Sequence, residues 1–337
     1  MTKALLTINE LSCHFGSFCA VDKISFELIP GECFALLGSS GCGKTTALRA
    51  IAGLETPSHG TIQHQEQIFF DQQTNLAPNL RNTGFIFQDY AIFPHLSIQD
   101  NITFGIKDAS QKKAHLERLL KLLGLEEHAK KMPHQVSGGQ LQRVAIARTL
   151  AIKPSLVLMD EPFSNLDATL ARRLRNEIRQ IFKAEGVSSI LVTHNQEEAF
   201  DFADRMAVME QGKILQIGTP EDLYQQPQTA QIASFFGHCQ IISGQAQGKT
   251  ATTAIGDVPL QQERQGHCQI LLRPENMRIM PNAESSLSIK EVRFLGARKE
   301  VSIQTPDNEI FVNVSARSQI KVGDSISITA IDPCPSF

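Results

Sequence analysis

The sequence runs to 337 residues with 42% apolar content, enough for one large domain or two ordinary ones with packed cores. Lys and Arg total 32 against 35 Asp and Glu, and a net charge of −3 leaves no electrostatic footprint for nucleic acid or for an anionic membrane surface. No run approaches the roughly 20 apolar residues of a membrane span, and seven scattered cysteines with no C-x-x-C pair fit reduced thiols better than a disulfide frame or a zinc site.

Met1-Thr2-Lys3-Ala4 leads into a strand pattern rather than a signal peptide, so the chain is expected in the cytosol, reaching a membrane only through a partner. The β-type stretches Leu5-Leu6-Thr7-Ile8 and Ile24-Ser25-Phe26-Glu27-Leu28-Ile29, broken near Gly16-Ser17, predict an antiparallel β layer. Within it Phe15 and Phe18 offer aromatic faces for a purine ring, the alternative being an ordinary core phenylalanine. The apolar run Cys33-Phe34-Ala35-Leu36-Leu37 then enters Gly38-Ser39-Ser40-Gly41-Cys42-Gly43-Lys44-Thr45-Thr46, a complete match to G-x-x-x-x-G-K-[ST], and leaves through a helix-like segment. A strand that stops at a glycine turn and restarts as a helix points N–H groups from the positive helix end into one concavity, where phosphate fits. The glycines let the backbone approach the ligand, Lys44 adds a charge, and Thr45 offers a hydroxyl to Mg²⁺. Cys42 fills a variable slot in this nucleotide-binding loop.

Thr83-Gly84-Phe85-Ile86-Phe87-Gln88 reads as a strand ending on an amide that could ligate Mg²⁺ or its water, or merely cap an edge. From residue 89 to about 150 the periodicity turns helical, and this stretch is expected to be a helical insert. Inside it Val136-Ser137-Gly138-Gly139-Gln140 opens a second helix on a Ser-Gly-Gly turn, another anion-receptive end. Leu156-Val157-Leu158-Met159 has the continuous apolar character of a strand buried on both faces and ends in Asp160-Glu161. At such a strand end Asp160 can hold Mg²⁺ through water, and Glu161 is placed to take a proton from attacking water. Residues 168–185 form an amphipathic helix whose arginines are expected on the wet face. Ile190-Leu191-Val192-Thr193 then delivers His194, a γ-phosphate hydrogen-bonding candidate. A hairpin around Gln211-Gly212 and a short helix after Pro220 follow. Beyond residue 237 only short strand-like runs remain, such as Gln269-Ile270-Leu271-Leu272 and Ile310-Phe311-Val312-Asn313-Val314, predicting a small all-β barrel or sandwich with no catalytic constellation.

The order GSSGCGKTT, Gln88, VSGGQLQRVAIARTL, LVLMDEP, SNLD and VTH resembles the ATP-binding subunit of ABC importers across essentially the whole length. That resemblance implies a P-loop NTPase cassette, α/β, with a RecA-like core, an antiparallel β layer and a helical subdomain over residues 1–236, followed by an OB-like TOBE domain over residues 237–337. It implies ATP and Mg²⁺ as ligands and a Q-loop at Gln88. The signature at Ser137, Gly138, Gly139 and Gln140 would reach the ATP of a partner subunit. Asp160 would be the metal-side carboxylate, joined by Thr45 and Gln88. Glu161 would be the general base, Ser164, Asn165, Leu166 and Asp167 the D-loop, and His194 the switch histidine. The family also tilts Phe15 toward adenine stacking, although many members have tyrosine there. A head-to-tail homodimer is implied, docked on transmembrane permease subunits at the cytoplasmic face of the inner membrane and served indirectly by an extracytoplasmic solute-binding protein. Asp89-Tyr90-Ala91-Ile92-Phe93-Pro94-His95-Leu96, Asp160-Glu161-Pro162-Phe163-Ser164-Asn165-Leu166-Asp167 and the tail with Leu272-Arg273-Pro274-Glu275 look most similar to ferric-iron importers, the alternatives being the same motor for polyamine, sulfate or another solute, or a soluble ABC-type ATPase outside transport. Val136, Asn195 and the stretch Pro78-Asn79-Leu80-Arg81-Asn82 depart from the family pattern.

Overall fold

Alternating apolar and polar residues form β1 (Leu6–Phe15) and β2 (Phe18–Leu28), paired antiparallel about a turn in which Gly16 takes φ +60°. The computed structural model describes residues 3–237, 239–305 and 309–337, so Met1 and Thr2 lie outside the described residues. The wholly buried β3 (Cys33–Gly38) follows, then α1 (Lys44–Ala52), β4 (His59–His64), β5 (Gln67–Phe70) and β6 (Thr83–Ile86). The insert contains α2 (Ile98–Thr103), α3 (Ala109–Leu123) and α4 (Gly138–Leu150). After it come β7 (Leu156–Asp160), α5 (Ala168–Glu185), β8 (Ser188–Thr193), α6 (Gln196–Phe202), β9 (Arg205–Glu210) and β10 (Lys213–Gly218).

Two sheets result. The first is the expected antiparallel layer, in the order β2-β1-β4-β5. The second runs β10-β9-β3-β8-β7-β6, parallel throughout except for the edge strand β10. In β3, β7 and β8 every residue is buried, because helices cover both faces of a parallel sheet. The register pairs Leu37 with Thr193, Asp160 with Val192 and Ile86 with Met159, so β3, β8, β7 and β6 end along one edge. Their following residues therefore emerge together, at the place where α/β sheets bind ligands.

A buried arginine fixes the far end of α1. Arg81 is 0% exposed and donates to the carbonyls of Leu76 (2.8 Å), Ala50 (2.8 Å) and Ile51 (2.9 Å) and to Asn75 Oδ1 (3.1 Å). Two of these are the terminal carbonyls of α1, where the helix dipole favours a cation. The arginines of α5 correct the expectation of a solvated face. Arg175 is buried against Asp201 and Glu198, and Arg179 donates to Phe202 O and Asp204, so much of that charge serves packing rather than solvation.

The chain divides into compact units at Met1–Pro220 and Glu221–Phe337, sixteen residues earlier than the boundary expected from composition. The reason is local. Arg273 of the second unit donates to Phe236 O (2.6 Å) and Tyr224 O (3.0 Å) and stacks on the Tyr224 ring, tying the preceding helical segment to the β structure. This unit comprises most of α7 (Pro220–Gln225), α8 (Ala230–Phe235) and the strands β11 (Gln240–Thr253), β12 (Gly256–Leu272), β13 (Met277–Pro281), β14 (Ser288–Phe294), β15 (Arg298–Gln304), β16 (Glu309–Ser315) and β17 (Ile326–Ala330). Its sheets, β11-β12, β13-β17 and β14-β15-β16, enclose a separate apolar core that includes Leu260, Ile270, Val301 and Ile328. Among the described residues no helix is long and apolar enough to cross a membrane.

Candidate nucleotide site

Residues 38–43 bridge β3 and α1. Gly41 (φ +80°) and Gly43 (φ +102°) adopt the left-handed backbone that side chains disfavour, and a β-carbon on Gly43 would stand 2.1 Å from Ala20 O. Gly43 caps α1 with no side-chain hydrogen bond, so the first-turn N–H groups remain for an anion. Lys44 is buried at 4% exposure and curls over the loop, donating to Gly38 O (2.9 Å) and Ser39 O (2.8 Å), with Cys42 Sγ 3.6 Å away. Ser39, Ser40 and Gly41 are exposed, while Thr45 and Thr46 are half-buried.

The end of β7 places Asp160 against the same loop. Thr45 Oγ1 donates to Asp160 Oδ1 at 2.8 Å, and Arg49 stands 4.0 Å from Asp160 Oδ2. Burial pushes the Asp160 carboxyl above its ordinary value, against the opposing pull of Thr45 and Arg49. A hydroxyl and a carboxylate converging in this way are the hard oxygen donors that suit Mg²⁺. Gln88 is exposed and differently engaged: its amide nitrogen lies 3.4 Å from Ser164 Oγ, and its backbone carbonyl accepts from Asn165 Nδ2 at 3.1 Å.

Glu161 carries φ +45°, a conformation that costs about 1 kcal/mol for a residue other than glycine. Its N–H donates to Val192 O, and its Oε1 meets His194 Nδ1 at 3.0 Å. The two adjoining strand ends thus bring a carboxylate and an imidazole into contact. Asn195 caps α6 through Oδ1, accepting from Glu197 N (2.9 Å) and Glu198 N (3.4 Å).

Residues 137–140 form a capping box at the start of α4, with Ser137 N donating to Gln140 Oε1 (2.8 Å) and Gln140 N to Ser137 Oγ (3.4 Å). A β-carbon on Gly138 would lie 3.7 Å from Leu166 Cδ2, so this turn adjoins the 164–167 segment, and Asp167 Oδ1 caps α5 through Leu170 N (3.0 Å). Phe15 and Phe18 are 47% and 61% exposed, which rules out the core reading for both.

Two positioning side chains carried no sequence signal. Arg148 of α4 donates to Ala91 O (2.7 Å) and Tyr90 O (2.9 Å), holding two left-handed residues just beyond Gln88. Asn101 binds the backbone of Phe93 in both directions and Leu96 O at 3.1 Å. An arginine or an amide inside a helix does not announce which backbone carbonyls of a neighbouring loop it will bind.

A parallel sheet whose strand ends gather a glycine loop, Asp160 and a Glu161–His194 pair defines a nucleoside triphosphatase of the P-loop class. The family model described as ABC transporter matches residues 21–164. The Fe(3+) ions import ATP-binding protein FbpC 2 of Haemophilus influenzae is 38% identical over 96% of this chain and 94% of its own length. The sulfate/thiosulfate import ATP-binding protein CysA of Caulobacter vibrioides is 40% identical over 90% of each chain. A solved dimeric ATP-binding cassette in a post-hydrolysis state, bound to ADP and Pi, superposes with a TM-score of 0.55 at 25% identity, covering 64% of this chain and 98% of that one. The chain belongs to the ABC transporter family, as an importer-type ATP-binding subunit that hydrolyses ATP.

Proposed function

We propose that this subunit drives uptake of ferric iron, hydrolysing ATP at the interface of a homodimer docked on membrane permease subunits. The observation that carries the hydrolytic assignment is the 3.0 Å contact between His194 Nδ1 and the strained Glu161 at the mouth of the phosphate loop. The loop N–H groups and Lys44 bind the phosphates, with residues 38–46 wrapping them and Phe15 stacking on adenine. Thr45, Asp160 and Gln88 would hold Mg²⁺, which when bound neutralises phosphate charge. Glu161 takes the proton of the attacking water, and His194 hydrogen-bonds the γ-phosphate.

Ser137, Gly138, Gly139 and Gln140 serve the ATP of the partner subunit. Ser137 and Gly138 are exposed, and the solved relative is dimeric, which supports this head-to-tail reading. Ser164, Asn165, Leu166 and Asp167, lying between Gln88 and the signature turn, communicate between the two sites. The iron assignment rests on relatives named as Fe(3+) import proteins in Haemophilus influenzae and Escherichia coli. Sulfate is the second reading, favoured by the 40% identity to the sulfate/thiosulfate protein.

Two measurements test the proposal. Glu161→Gln is expected to retain ATP binding and dimerisation while phosphate release falls to background; normal turnover removes Glu161 as the base. A deletion strain grown on limiting iron, sulfate or polyamine is expected to fail on iron alone, and failure only on sulfate transfers the assignment.

A further inference from the structure

We propose that Arg175 is a positioning residue for the Glu161–His194 pair, holding both strand ends from behind. This inference rests on the hydrolytic role proposed for that pair.

Arg175 belongs to α5 and its side chain is 4% exposed. Nη2 donates to Asp201 Oδ2 at 2.9 Å, and Nη1 lies 3.9 Å from Glu198 Oε1, so one cation serves two carboxylates of α6. The chain of contacts continues to the histidine. Glu198 Oε2 accepts from Thr193 Oγ1 at 2.6 Å, and Thr193 Oγ1 accepts from Asn195 N at 3.0 Å. Those two residues flank His194, so the backbone from which the imidazole projects is bonded through Glu198 to Arg175. The other face of the guanidinium lies 5.9 Å from the centre of the Phe163 ring. Phe163 is two residues beyond Glu161, in a turn closed by Ser164 N donating to Glu161 O at 3.3 Å. One arginine therefore touches the supports of both members of the pair.

Packing does not do this work unaided. His194 is 53% exposed at its side chain, and a cavity of about 230 Å³ is bounded by Glu161, Phe163, Arg175, Thr193, His194 and Glu198. The imidazole has room to turn away from Glu161, and the bonded chain is what holds its backbone. Burial favours the neutral acid at Glu198, whereas the Thr193 hydroxyl and Arg175 favour the carboxylate that accepts from Thr193. Removing the cation weakens the acceptor on which the His194 turn depends.

The test uses the full chain and steady-state hydrolysis of MgATP. Arg175→Met is expected to lower kcat by roughly 10- to 100-fold, the scale of a misplacement near 1 Å, while KM and the affinity for a fluorescent ATP analogue stay within about twofold. Arg175→Lys, which keeps the charge without the fork, recovers part of the loss. Thr193→Val, which removes one hydroxyl, shows the same pattern and carries the test should Arg175→Met fail to fold. In a His194→Ala background Arg175→Met costs clearly less than in the wild type, because one of the two groups it positions is gone. A wild-type kcat in both Arg175→Met and Thr193→Val, or a loss that multiplies fully with His194→Ala, overturns the positioning role. That result alongside an inactive Glu161→Gln sinks this inference alone, whereas an active Glu161→Gln sinks the hydrolytic reading first.

Discussion

Replacing Arg81 with methionine keeps an elongated apolar stem in the same space and deletes the guanidinium. Four hydrogen bonds to neutral oxygens disappear, and the carbonyls of Ala50, Ile51 and Leu76 each lose one donor, Ala50 O keeping Gly53 N, in a site with 0% exposure at Arg81. At about 1 kcal/mol net per bond the loss is about 4 kcal/mol. Burial also disfavours the cation itself, pushing the guanidinium down to about 10, so its removal returns part of that sum. The expected cost is about 3 kcal/mol, a fall in melting temperature of roughly 6–12 °C for a unit of this size. Arg81→Lys, retaining a charge but not the fork, should fall between the two. Differential scanning calorimetry of the transition that responds to MgATP reads the change directly. A penalty below about 1 kcal/mol for Arg81→Met would refute the claim that this arginine clamps the end of α1 and, through it, the phosphate loop.

The loop glycine offers a second check. Gly43→Ala must place a β-carbon 2.1 Å from Ala20 O at φ +102°, so it is expected to weaken ATP binding by at least about tenfold; isothermal titration with unchanged affinity would contradict the geometry. The two tyrosines supply a pH test. Burial first, and then the hydrogen bond to Glu275, pushes the Tyr224 phenol up to about 12, and burial also raises Tyr90. Unfolded phenols lose their protons near 10, so the folded state binds more protons between about 10 and 12. The stabilisation linked to Tyr224 is complete below the lower value and is lost as pH rises through the higher one. Absorbance at 295 nm should show Tyr224 almost wholly protonated and Tyr90 less than half ionised in the folded protein at pH 10, and half-ionisation of both tyrosines there without unfolding would reject the burial argument.

Local patterns carried the nucleotide-binding fold a long way. Residues 33–52 announce strand, glycine turn and helix, and the apolar runs at 156–159 and 190–193 announce buried parallel strands ending in Asp160-Glu161 and His194. Such signals survive because each depends on a residue's own backbone preference or on its burial within one element. What sequence order left open was decided by partners distant along the chain. Arg81 and Arg175 look like surface charge until α1 and α6 are folded against them. Arg148 shows its grip on Tyr90 and Ala91 only once α4 packs beside that loop. The left-handed Glu161 and the early boundary at Pro220 follow the same logic: a contact between β7 and β8, and a clamp by Arg273 on residues 224 and 236, override what the neighbouring residues suggest. Periodicity and turn chemistry are written residue by residue, whereas the pairing of a buried charge exists only after the elements have met.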